Sequence, residues 1–311
     1  MTKHEPLPSH ASSGHSHHGA PDHGHSHHGH SGRNHEGHGH EHANDAELAQ
    51  MLDLDAHILG SYLAEATAWA AELAVTTPAA IIDVGAGSGV GSLALARRFP
   101  TAHVTALDMS AQMLGKTLEL AAVNGLDGRI TGIQANLNEG WPASATADLI
   151  WASSSLHELS DPERTMADMF THLSPGGLLM VVEMDSLPSF LPESATEGDV
   201  VESGLESRLH AALASNGWNQ YPEWTAGLER AGFVVERRHF PTTGSTTQEL
   251  AARYGRIFLS KIGGALAESS SAVDLAALDV LLGDGPGSLE RRGDLVVRGH
   301  RTAWAAHKPV S

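Results

Sequence analysis

The sequence predicts an α/β protein built on a doubly wound, mostly parallel sheet, and three observations lead there. Short apolar runs ending in an acid alternate with helix-length amphipathic stretches, the pattern of strand–helix–strand units. One such run, Ile81-Ile82-Asp83-Val84, passes straight into Gly85-Ala86-Gly87-Ser88-Gly89. Such continuous apolar strands suit a parallel sheet covered on both faces, and 41% apolar content over 311 residues is enough to cover one.

The chain opens on a segment of different texture, residues 1–43. Fourteen of the 22 histidines fall before residue 43, and Gly14-His15-Ser16-His17-His18-Gly19 returns as Gly24-His25-Ser26-His27-His28-Gly29. With so little apolar content it cannot repay the entropy of ordering, so a disordered tail is expected. Closely spaced imidazoles can converge on Zn²⁺, Ni²⁺, Co²⁺ or Cu²⁺, which makes His15, His17, His18, His25, His27 and His28 candidate non-catalytic metal ligands. The remaining 44–311 reads as one domain.

Within it, residues 44–77 show helical periodicity. Leu48, Met51, Leu52, Leu59, Tyr62 and Leu63 share one stripe, with Asp45 placed to cap, and Pro78 ends the run. One or two helices precede the first strand. The glycines that follow Asp83 allow a sharp turn and close approach to a ligand, and helix 90–98 aims its amide end at the same place. A dinucleotide fingerprint requires a third glycine, but Val90 stands there in one register and Ser92 in the other.

Residues 102–110 form a second strand ending in Asp108, 19 residues beyond Gly89, where doubly wound folds place a carboxylate for ribose hydroxyls. Ser110 can cap helix 111–123. A third strand, 129–137, ends at Asn136, and a fourth leads through Ser153 to Leu156-His157-Glu158-Leu159. Helix 162–173 follows, then the turn Ser174-Pro175-Gly176-Gly177 and strand five, 178–183.

Asp83-x-Gly85-x-Gly87-x-Gly89, with the order of elements after it, resembles class I S-adenosylmethionine-dependent methyltransferases. The resemblance covers residues 79–184 strongly and continues through 224–240 and 294–307 as the last helix and strands. It implies a seven-stranded, Rossmann-like sheet with N-terminal helices and helical insertions, and S-adenosylmethionine as cofactor. The glycine turn, with Asp83, Gly85, Ala86, Gly87 and Gly89, would wrap the methionine part of the cofactor. Asp108 and Met109 would lie at the ribose, and Asn136, with Leu137, at the adenine. Ser153 completes the expected cofactor set. Asn136 stands where that family usually carries an acid, and its amide oxygen can still accept from the adenine amino group.

For catalysis, His157 is the best-placed imidazole for a general base, and Glu183 with Asp185 exits strand five toward the acceptor region. A structural role is the competing reading for each. The stretches 185–222 and 241–293 lie outside the minimal fold and are candidate substrate covers. The first carries Trp218, Tyr221 and Trp224; the second carries helix 248–266 and the apolar run Leu275–Leu282, expected to bury against the sheet.

Composition excludes several classes. Without cysteine there is no disulfide, zinc–thiolate site or thiol nucleophile. A formal net charge of −18 without lysine or arginine clusters opposes nucleic acid and favours a small-molecule acceptor. No long apolar run or signal peptide appears, so no membrane association and a cytoplasmic location are expected, as monomer or homodimer. Gly115-Lys116-Thr117 lies mid-helix without the opening glycine of a phosphate loop, and no G-x-S-x-G elbow occurs. An NAD(P)-dependent oxidoreductase, or a metal-binding regulatory protein on a methyltransferase scaffold, are the alternatives.

Overall fold

A computed structural model describes residues 50–142, 146–194, 201–217 and 222–310. The histidine repeat, Asp45, Trp218 and Tyr221 lie outside the described residues. Strands β1 (Ala80–Val84), β2 (His103–Asp108), β3 (Ile130–Gln134), β4 (Ala147–Ser153), β5 (Leu173–Met184), β6 (Val234–Thr243) and β7 (Arg298–His307) form one sheet in the order β3-β2-β1-β4-β5-β7-β6. β1 pairs in parallel with β2 and β4, as β4 does with β5, whereas β7 runs antiparallel between β5 and β6. This is the doubly wound, seven-stranded, mostly parallel sheet expected. Its order reverses between β1 and β4, which opens a crevice at their carboxyl ends.

Both faces of the central strands are buried, while the edge strands β3 and β6 are largely exposed. Alternation puts Ile81, Trp151, Met180 and Ala305 on one face, under Leu93 and Leu95 of helix Val90–Arg98 and Tyr62 and Trp69 of helix Ser61–Leu73. Ile82, Ile150, Leu179 and Trp304 fill the other, under Met166 and Met169 of helix Pro162–His172 and Leu228 of helix Thr225–Ala231. The N-terminal stripe divides into two helical stretches at Gly60, where a Cβ would stand 1.9 Å from the Ala56 carbonyl oxygen.

Two expectations need correction. The apolar run 275–282 does not pack on the sheet: in helix Ala272–Leu282, Leu278 and Leu281 join a third cluster with helices Leu205–Ser215 and Gln248–Leu266 and with Leu54 and Ile58. The insertions thus bury their apolar faces mainly on each other and on the N-terminal helical residues. Ser174–Gly177 is an irregularity within β5 and not a turn before it, because Ala147 pairs with Leu173 and Leu149 already with Leu178. Trp224 is buried in the cluster that holds Trp304 and Leu228.

Candidate active site

The crevice between β1 and β4 is shaped by glycines. Gly85, Gly87 and Gly89 have φ of 66°, 54° and 88°, a region that a Cβ makes costly. Neighbours forbid a side chain as well. A Cβ on Gly85 would lie 2.5 Å from the Ser155 Cβ, and one on Gly89 2.8 Å from the Thr117 Cα. The turn is tied to its surroundings: Ala86 N–H donates to the Leu107 carbonyl, Gly87 N–H to Asp108 Oδ2 at 2.9 Å, and Thr117 Oγ1 to the Gly87 carbonyl.

Asp83 is buried beneath this turn at 2% exposure, and Ser92 Oγ donates to it at 2.6 Å. Burial, with a smaller push from Asp108, raises its carboxyl to about 6 despite the Ser92 hydrogen bond. Gly91 leaves the space beside it clear, since a Cβ there would come within 3.3 Å of Asp83 Oδ2 and 3.5 Å of Trp151 Nε1. Asp108, at the end of β2, also accepts from Ser110 N–H, and Ser110 caps helix Ala111–Val123 as expected. Met109 beside it is exposed. Asn136 is turned onto its own loop, donating to Glu139 and accepting from Asn138 N–H, while Leu137 is buried.

Past β4 the chain makes a constrained turn. Ser154 has φ 52°, the one positive value outside glycine among the described residues. Glu183 near the end of β5 accepts from the N–H groups of Ser155 and Leu156 at 3.1 and 2.9 Å on Oε1, and Oε2 lies 2.7 Å from His157 Nδ1. The other ring nitrogen of His157 lies 3.2 Å from Glu158. These bonds, Glu158's first and then Glu183's, raise the imidazole to about 10. Glu158 is 78% exposed and screened, so the buried Glu183 is the durable partner. An imidazole so held stays charged at neutral pH and is a poor base.

Sequence reasoning missed a network on the other face. Arg301 of β7, 1% exposed, binds both oxygens of Asp55 at 2.8 and 2.9 Å, and Tyr254 donates to the same carboxylate at 2.6 Å. Its guanidinium lies 5.2 Å over the ring of Tyr62, whose hydroxyl is 3.5 Å from Ser153 Oγ. Nothing in the spacing of Asp55 and Arg301 announces the pair.

The residues present fit a cofactor of the expected kind. Trp151 Nε1 and Ser155 Oγ, at the β1–β4 crevice, are buried polar atoms without a hydrogen-bond partner, and side chains on the glycine turn would meet Ser155, Leu52 and Thr117. Among the described residues, no group of three or more metal-binding side chains occurs, and no helix is long and apolar enough to cross a membrane.

The chain is similar to known proteins over part of its length. The chain is 29% identical over 163 residues to malonyl-[acyl-carrier protein] O-methyltransferase of Laribacter hongkongensis, covering 51% of this chain and 52% of that protein. It is 30% identical over 158 residues to trans-aconitate 2-methyltransferase of Yersinia pestis, covering 50% and 58%. The matches thus span about half the length of these curated relatives. Among solved structures, geranyl diphosphate methyltransferase in complex with SAM is 16% identical over 78% of this chain and 85% of its own, with a TM-score of 0.42. The glycine turn, Asp83, Asp108 and the β4 exit all fall within residues 81–177, the segment that matches the methyltransferase domain family.

Proposed function

We propose that the protein is an S-adenosylmethionine-dependent methyltransferase acting on an oxygen or nitrogen of a small molecule. The observation that carries this is the glycine turn itself: three left-handed glycines over a buried Asp83, tied by Gly87 N–H to Asp108. The bound cofactor supplies an activated methyl on a sulfonium. Asp83, Gly85, Ala86, Gly87 and Gly89 would hold its amino-acid end, Asp108 and Met109 its ribose, and Asn136 and Leu137 its adenine, with Ser153 completing the set. The protein's part is alignment and exclusion of water.

The formal charge of −18 supports a small acceptor over a polyanion. The relatives' names, malonyl-[acyl-carrier protein] and trans-aconitate, point to carboxylic acids. A carboxylate is already deprotonated at neutral pH, which suits a site whose His157 is held charged. Cofactor binding to wild type and to Gly87→Val tests the proposal. The added side chain meets φ 54° and Leu52 Cδ1 near 3.4 Å, so binding is expected to be lost while the circular dichroism spectrum persists. Undiminished binding in the variant refutes the loop assignment.

The repeated Gly-His-Ser-His-His-Gly unit supports a second, non-catalytic role in binding Zn²⁺, Ni²⁺, Co²⁺ or Cu²⁺. Zinc titrations of the full chain and of a chain beginning at Ala43 are expected to differ in stoichiometry. Equal stoichiometry counts against it.

A further inference from the structure

We infer that Glu183 is a positioning residue that bolts the exit of β4 to the end of β5, holding Ser155 against the glycine turn with His157 as its counter-charge. Its relevance to cofactor binding rests on the methyltransferase reading; its geometry does not.

Four consecutive residues after β4 are gripped from β5. Ser154 N–H donates to the Val182 carbonyl at 2.8 Å, Ser155 and Leu156 N–H groups share Glu183 Oε1, and His157 Nδ1 meets Oε2. Glu183 is buried, with 5% of its side chain exposed, and both oxygens are occupied, so it has little capacity left to abstract a proton. A buried carboxylate without a partner would be costly, and His157 supplies the charge and a donor. The chain accepts the left-handed conformation at Ser154 because its neighbours on both sides are pinned. The result is felt at the cofactor loop: Ser155 Cβ occupies the space a Gly85 side chain would need. β1 and β4 exits therefore define each other, and Glu183 sets the second of them.

The carboxylate performs two separable tasks, and substitutions divide them. Glu183→Gln keeps an oxygen for the two N–H groups but not the charge. Glu183→Ala removes both. Glycine at position 154 adopts the turn without a bracket. In the full-length protein, Glu183→Ala is expected to weaken S-adenosylhomocysteine binding about tenfold or more. Glu183→Gln should stay within about threefold of wild type, and Ser154→Gly combined with Glu183→Ala should recover most of the loss. The His157 titration, followed by NMR, should fall by about one pH unit or more in Glu183→Gln, since only Glu158 then faces the ring. That readout needs no cofactor. Wild type failing to bind cofactor speaks against the methyltransferase reading, and the His157 titration still decides the bracket. An unchanged His157 titration in Glu183→Gln overturns it. So does Glu183→Ala binding as wild type, or a folded Glu183→Ala variant whose loss glycine at 154 does not relieve. If Glu183→Ala does not fold, affinity in Glu183→Gln decides, and a tenfold loss there overturns the bracket.

Discussion

Asp83 shows what a buried carboxylate under a glycine turn costs. Its folded-state carboxyl titrates at about 6 against 3.8 for the free side chain, mainly through burial. Between those values the folded chain holds more protons than the unfolded one, so stability falls as pH rises through that window. The cost, on the order of 2–3 kcal/mol, is fully present above pH 6 and absent below the unfolded value. Asp83→Asn should flatten that slope, as measured by urea unfolding at pH 4 and pH 7. Parallel slopes in the two proteins would mean that Asp83 is not desolvated. His157 contributes a gain where Asp83 imposes a cost. Its raised folded value contributes stability that is complete below the unfolded 6.5 and lost as pH climbs toward about 10. The two residues thus tilt stability the same way with pH through different chemistry: one ionises where it is unwelcome, the other loses the charge that Glu183 needs.

At the level of elements, the turn after β1 was legible because glycine spacing reports backbone requirements directly. Gly85, Gly87 and Gly89 each take the left-handed conformation for which glycine is suited. The end of β2 at Asp108 and the cap at Ser110 were equally readable, since each depends on neighbours a few residues away. The β4 exit was not. His157 and Glu183 stood out individually, but their pairing joins residues 26 apart across two strands, and no local pattern encodes it. The packing of run 275–282 was misread for a related reason: an apolar stripe says that a face is buried, never against what. The local requirements can be tested at two glycines. Gly89→Ala must tolerate φ 88° and a Cβ 2.8 Å from the Thr117 backbone, and should lose about 2–4 kcal/mol of stability. Gly115→Ala, in the same helix as Thr117 with open space around it, should gain roughly 0.5–1 kcal/mol. Denaturant midpoints with unchanged slopes would read both, and a Gly89→Ala protein as stable as wild type would contradict the turn as described.

For the whole molecule, the strand order places one reversal point in the sheet, and both ligand-shaping loops meet there. A ligand that binds there only in the folded state must raise the unfolding temperature. S-adenosylhomocysteine at about a hundred times its dissociation constant should add about 2.7 kcal/mol, a shift of several degrees, whereas NAD should add none. The reverse result would restore the oxidoreductase alternative. The position of β7 has a further consequence for biosynthesis. β6 borders only β7 in the sheet, and Asp55 finds its guanidinium partner 246 residues downstream in the same strand. A nascent chain therefore reaches residue 297 with β6 unattached and Asp55 without its guanidinium. One strand, β7, thus completes both contacts, and neither can form before residues 298–307 are available.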